Sequence, residues 1–376
     1  MSYLNNSLEQ VVKAGNLDHV NKWLTDHPKL DWVTCMNAIR CAVPHGQADL
    51  IKSLLKGLDK YLGLPSDQVL LGLCQECPEA LPLVLPSITK DVIVYALRET
   101  AFHGNLAVVE TLASHLTTKE SEGVITASSW AADAGHLAVV QHLWGVIQKL
   151  SPSGDGGKTL EQAIAHDQEP IVDWVLARST KKDVRHSNAL GVAASRGSLK
   201  FLNRLWPYIQ GVPDQNLEVA LIFAARENQV EALEWVFERL NVWQSQSDVT
   251  QALVSAAKSN ALDSVKFLAP HTSPSDKAKA VLEALEKSFD AVVNFLLPEA
   301  DWYACARDLV GENKWDQLDR ITPGLPLDFQ RRLRKHYPDH ILPCLDESLR
   351  IADRQQAMQT LGATDLSSSS RRRPRS

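Results

Sequence analysis

The sequence predicts an all-α protein: a curved α-solenoid of about ten helix–turn–helix repeats. Three observations carry that prediction. Segments such as AFHGNLAVVETLA, WAADAGHLAVVQHLW, VAASRGSLKFLNRLW, FAARENQVEALEWVF and SAAKSNALDSVKFLA align with one another along the chain. A Gly, Asn or Asp recurs at their centre. Apolar residues follow that position at +2, +5 and +8, and often +9, a spacing of three and four that lies on one helical face.

The central position can be followed in order: Gly15, Gly46, Glu76, Gly104, Gly135, Asp167, Gly197, Asn228, Asn260, Ser288 and Asn313. The mean step is about 30 residues. All but Glu76 and Ser288 are residue types that tolerate a left-handed backbone at a helix end, so each marks a tight turn between two helices. The first helix ends in a small pair just before the turn: Ala131–Ala132, Ala193–Ala194, Ala224–Ala225 and Ala256–Ala257. Small side chains there let two helices approach closely. The second helix brings the larger apolar residues, Leu137, Val140, Leu143 and Trp144 after Gly135. One such pair cannot bury its own apolar face, so neighbours must stack. The array is expected to span 1–322. Prolines 323, 326, 338 and 343 then interrupt it. A helical cap follows over 323–361, with its last helix at Leu345–Leu361. The Ser/Arg-rich tail, 362–376, has Leu366 as its last apolar residue beyond alanine and is expected to be disordered.

Composition bounds the function. The chain has 376 residues and a formal charge of −6. Hydrophobic residues make up 44% and charged residues 22%, which excludes a wholly disordered chain. Apolar stretches are broken by charge well short of the roughly 20 residues a membrane-spanning helix needs. No basic start followed by an apolar run is visible at the N-terminus, so the six cysteines are expected to be reduced thiols in a cytoplasmic compartment. Setting aside Arg371, Arg372, Arg373 and Arg375 leaves −10 over residues 1–370, which argues against nucleic acid as the main partner.

The run Ala131–Ala132–Asp133–Ala134–Gly135–His136–Leu137–Ala138–Val139–Val140 resembles the ankyrin repeat, whose signature is Ala–Ala, two variable residues, Gly–His and an apolar second helix. Residues 101–112, 193–205, 224–236 and 256–268 follow it less fully. The resemblance covers roughly 8–320 and is weak near 71–85 and 284–320. It departs from the family in its period, about 30 rather than 33. It also lacks the Thr-Pro-Leu-His opening throughout, so the β-fingers of that family are expected to be short or absent. A stack of helix hairpins of another class is the rival fold.

The resemblance also implies a binding surface. Ankyrin-like arrays line their concave face with first-helix positions −5, −2 and −1 from the turn. Carried over, these are Glu99, Phe102, His103, Trp130, Asp133, Gln162, His166, Arg196, Phe223 and Arg226. Aromatic side chains beside arginines are common interface anchors. The competing assignment places Trp130 and Phe223 in gaps between adjacent repeats. The function expected is therefore a non-catalytic, monomeric protein-interaction scaffold.

Signals for chemistry are weak. Cys74–Gln75–Glu76–Cys77 is a CxxC without the second ligand pair a metal site needs. Residues 153–159, SGDGGKT, resemble a phosphate-binding loop but have Pro152 where its first glycine belongs, and a helix rather than a strand before it. The histidines show no metal spacing. No cofactor, metal or catalytic group is expected. Residues 325–342, LPLDFQRRLRKHYPDHIL, are faintly similar to an F-box opening, so the alternative function is an adaptor or secreted microbial effector recruiting other machinery through that segment. The RRRPR cluster reads as a nuclear import signal, a bacterial sorting signal or a solubilising end. Arg331–Lys335 reads as a solvated basic helix face.

Overall fold

Left-handed backbone marks the turn inside each helix pair but the third in a computed structural model of the chain. The model describes residues 7–27, 31–62, 65–151, 156–210, 215–240, 246–340 and 342–369. Regular structure among these residues is helical throughout, with no strand. Positive φ occurs at Gly15, Gly46, Gly104, Gly135 and Gly197, and at Asp167, Asn228, Asn260, Ser288 and Asn313. Those are the turn positions of the sequence pattern, Ser288 included and Glu76 excepted.

The chain divides into two compact units, Met1–Val192 with Arg204–Gly211, and Ala193–Asn203 with Val212–Ser376. The first contains α1 (Leu8–Lys13) and α2 (Leu17–Asp26), α3 (Trp32–Ala42) and α4 (Ala48–Leu62), and α5 (Ser66–Glu76) and α6 (Leu81–Val84). It continues with α7 (Lys90–Phe102) and α8 (Leu106–Ala113), α9 (Ser121–Asp133) and α10 (Leu137–Leu150), α11 (Gly157–Ala165) and α12 (Glu169–Leu176), and the short α13 (Lys181–His186). Helices α14 (Ala189–Ser195) and α15 (Leu199–Ile209) are divided between the units. The second holds α16 (Gln215–Arg226) and α17 (Val230–Phe237), α18 (Gln246–Lys258) and α19 (Leu262–Leu268), and α20 (Pro274–Glu286) and α21 (Asp290–Leu296). It ends with α22 (Trp302–Gly311), α23 (Trp315–Ile321), α24 (Leu327–His336) and α25 (Pro343–Ser369). Packing runs from neighbour to neighbour. In the first unit α7 packs on α9 and α9 on α11, with α8 on α10 and α10 on α12. In the second, α16 packs on α18 and α18 on α20, with α17 on α19 and α19 on α21.

The alanine pairs explain how each first helix stops. At the Gly135 turn, the His136 N–H donates to the Ala131 carbonyl at 2.8 Å and the Gly135 N–H to the Ala132 carbonyl at 3.3 Å. This is the Schellman arrangement, which satisfies two carbonyls that the helix end would leave without partners. The same two bonds recur at Thr100/Ala101, Ala163/Ile164, Ala224/Ala225, Ala256/Ala257 and Ala284/Leu285. The pair thus accepts the closing hydrogen bonds while its side chains are buried. The turn is also roofed. A Cβ built on Gly135 would lie 2.7 Å from Gln168 Oε1, and one on Gly104 would lie 2.5 Å from His136 Nδ1. The residue after one turn therefore covers the turn before it.

Burial follows the second helices. Positions +5 and +8 are buried, as Val109 and Leu112, Val140 and Leu143, and Val172 and Val175 in the first unit. Position +4 is buried as well, at Val108, Val139 and Ile171, and again at Ala232, Ser264 and Val292 in the second unit. The sequence pattern missed +4 because Ser264 and Ala232 dilute its apolar character. Position +2 is only half-buried at Leu106, Leu137 and Val230.

Two expectations are corrected. Glu76 is not a left-handed turn: it is the last residue of α5, and Cys77 follows with φ −149°. Pro78, Pro82 and Pro86 then break the second helix into two 3-10 turns around the four-residue α6. Proline lacks an N–H and is tolerated only in a first helical turn, so three of them permit only short pieces. Leu81, Val84 and Leu85 nevertheless fill the same layer. The second correction concerns the end of the chain. Helix α25 does not stop at Leu361 but runs to Ser369. Residues 357–366, AMQTLGATDL, contain good helix formers and no proline, so nothing breaks the ladder where apolar content ends. The arginines at 371–375 lie outside the described residues. No single described helix is long and apolar enough to cross a membrane.

Candidate functional site

The residues proposed for binding sit on the first helices of each unit, near the turn. Four of them meet in the first unit. Phe102, from the end of α7, and Trp130, from α9, lie edge to face with ring centroids 6.5 Å apart. They are 40% and 37% exposed, although both are large apolar side chains. One turn further, Asp133 Oδ1 is 2.8 Å from His166 Nδ1 on the next repeat. The Gln168 amide that roofs the turn donates to the Asp133 carbonyl at 3.2 Å, tying the next helix pair to it. His103 is exposed beside Phe102, at 5.7 Å between ring centroids. Glu99 and Gln162 are half-buried on the same helices.

Repeat geometry creates this ridge. Positions −5 and −2 lie three residues apart, so Trp130 and Asp133 share a helix face. Adjacent first helices then bring Phe102 to Trp130 and Asp133 to His166. Trp130 packs against Phe102 of the neighbouring first helix and keeps more than a third of its surface exposed.

In the second unit, Arg226 lies over the Phe223 ring, 4.9 Å from its centroid, and its Nε contacts Glu227 Oε1 at 2.9 Å. Phe223 is half-buried, whereas Arg196 and Arg226 are exposed. The same unit holds a groove of about 680 Å3 whose lining includes Ile222, Gln251, Val254, Ser255 and Lys258. Sequence reasoning missed Ile222, Gln251 and Val254. They lie at −6 and −9 from their turns, one helical turn behind the columns that were followed. Extending those columns by 3.6 residues finds them. In the first unit the same extension finds Tyr95, 39% exposed at −9 from Gly104.

The remaining sequence signals have structural roles. Thr159 of the SGDGGKT segment is buried and donates to the Ser128 hydroxyl at 3.0 Å. Lys158 pairs with Glu122. Residues 152–155 lie outside the described residues. Cys74 and Cys77 are both buried, and burial pushes the Cys74 thiol up to about 12. No cluster of three or more metal-ligating side chains occurs among the described residues. In segment 325–342, Leu325, Leu333 and Leu342 are buried under the end of the second unit.

Compared with protein-family models and with curated proteins, the sequence finds no match.

Proposed function

We propose that this is a non-catalytic binding module, a curved solenoid of ankyrin-like repeats that engages a partner protein along the first-helix columns of its concave face. One observation carries the reading: Phe102 and Trp130 are held edge to face and left exposed beside the Asp133–His166 pair. Burying large apolar rings is worth about 25 cal/mol per Å2, so leaving them in water costs stability that a partner recovers. Aromatic side chains flanked by polar and charged groups form the centres of interface hot spots. The Arg226–Phe223 pair continues the theme in the second unit. In segment 325–342 the leucines turn inward, which supports a cap shielding the end of the array.

The test compares the intact chain with a Phe102→Ala/Trp130→Ala variant in affinity capture, after circular dichroism has shown equal helicity. The expected result is a partner held by the first and lost by the second. Undiminished capture by the variant sinks the reading.

A further inference from the structure

The second unit holds another groove that none of the concave-face candidate residues line. Its volume is about 610 Å3. Helix α22 supplies Trp302, Tyr303 and Arg307, and α24 supplies Phe329, Arg332 and His336. The α24 residues are spaced three and four apart, so they share one helix face. Trp302 and Tyr303 meet Phe329 edge-on, at 4.7 Å and 6.1 Å between centroids. Tyr303 is 60% exposed, the most open of these rings.

Charge identifies the occupant. Arg331 and Arg334 of α24 are consumed by α25, donating to Asp353 and Asp346. Arg332 lines the groove and forms no hydrogen bond or ion pair with a described residue. Arg307 also lines the groove, but its Nε and Nη2 both contact Asp308 Oδ1 at 3.0 Å, which leaves Arg332 as the lining arginine without an ion pair to a described residue. Asp328 is the one carboxylate among the lining residues. A chain of net charge −6 thus places two arginines and one carboxylate among the residues lining this aromatic-floored groove, with Arg332 unpaired among described residues.

We propose that this groove binds an acidic peptide segment of a partner protein. An aromatic or aliphatic side chain of the peptide seats against Tyr303, Trp302 and Phe329, and its carboxylates meet Arg332 and Arg307. Arginine accepts carboxylates through paired N–H donors, and desolvation by the rings strengthens the contact. Three aromatics also suit a quaternary cation, but two arginines at the rim repel one. Single-stranded nucleic acid needs free ring faces for stacking, whereas these rings are packed edge to face. The arginine-rich residues 371–375 carry the same sign as the groove and are repelled by it.

The test is selection of a phage-displayed random peptide library on the full-length chain. Selected peptides are then titrated against wild type, Arg332→Glu, Arg332→Lys and Tyr303→Ala. Arg332 and Tyr303 are exposed, and thermal melting checks that each variant folds. Enrichment of acidic peptides around a fixed aromatic or aliphatic residue is expected. Arg332→Glu and Tyr303→Ala then weaken binding roughly ten-fold or more, and Arg332→Lys weakens it less. Phe102→Ala/Trp130→Ala leaves this binding unchanged, so the failure of one site is distinguishable from failure of the other. No enrichment, enrichment without acidic bias, or affinities indifferent to Arg332→Glu overturns the proposal. So does preferential binding of an oligothymidylate, or a self-association in sedimentation that Arg332→Glu abolishes.

Discussion

Gly46 and Gly135 occupy the same turn position with different surroundings, and that difference is measurable. Gly46 has φ +62° and open space around a built Cβ, so Gly46→Ala incurs backbone strain alone, about 1 kcal/mol. Gly135 has φ +85° and lies under the amide end of Gln168, so Gly135→Val displaces that side chain from its hydrogen bond to Asp133 and puts a β-branched residue in a left-handed turn, for about 3 kcal/mol. Urea unfolding checks both. Equal losses would mean that the roof over the turn contributes nothing. The thiols give a second residue-scale expectation. Burial pushes Cys35, Cys74 and Cys305 up to about 12 from an ordinary 9.0. The folded state therefore keeps protons that the unfolded state loses above pH 9, and stability falls between pH 9 and pH 12. At pH 8, iodoacetamide is expected to label half-buried Cys41 and, more slowly because Asp319 raises its thiol pKa, the exposed Cys344 in the native chain. Labelling of Cys35, Cys74 or Cys305 without unfolding would contradict the burial argument.

Among the elements, the first turn of α25 is tied down by a buried carboxylate. Asp319, at the end of α23, accepts hydrogen bonds from the Cys344 and Leu345 N–H groups at 3.0 Å each. These are orphan donors in the first turn of α25, so the side chain anchors that helix to the last repeat. Asp319→Ala is expected to cost about 2–3 kcal/mol and to speed proteolysis within 343–369. An unchanged melting temperature and cleavage rate would rule out that anchor. The paired helices were legible in advance because the turn chemistry repeats in the chain itself. The Ala–Ala pair and the left-handed residue make their hydrogen bonds within six residues. The third repeat was not legible at this level. A glutamate standing at the expected spacing could not reveal that Pro78, Pro82 and Pro86 would replace a turn and a helix with short pieces.

At the scale of the molecule, both ends of a repeat array must be closed. Helix α25 packs on α23 and α24, and Leu342 and Leu345 are buried there beside Leu318 and Ile321. Ending the chain after Pro326 removes that cover from two large apolar side chains. The truncated chain is expected to aggregate and to melt at lower temperature, each uncovered side chain costing about 1.5–3 kcal/mol. Light scattering and calorimetry check this. A soluble truncate with an unchanged melt would make α24 and α25 an independent appendage.

The sequence by itself determined the helical class, every followed turn position except Glu76, and the buried +5 and +8 faces. Those features rest on hydrogen bonds and periodicities a few residues long, so the information is local. It also placed Trp130, Phe102 and Asp133 near the turn on the first helices. Tertiary structure decided which of these meet. Phe102 touches Trp130, and Asp133 touches His166, only because neighbouring first helices pack side by side. The C-terminal groove lay furthest from view. Tyr303 and Arg332 are 29 positions apart on helices of no shared repeat pattern. Whether an arginine is spent on a neighbouring carboxylate, as Arg331 and Arg334 are, or faces an open groove, as Arg332 does, depends on which helix packs against it.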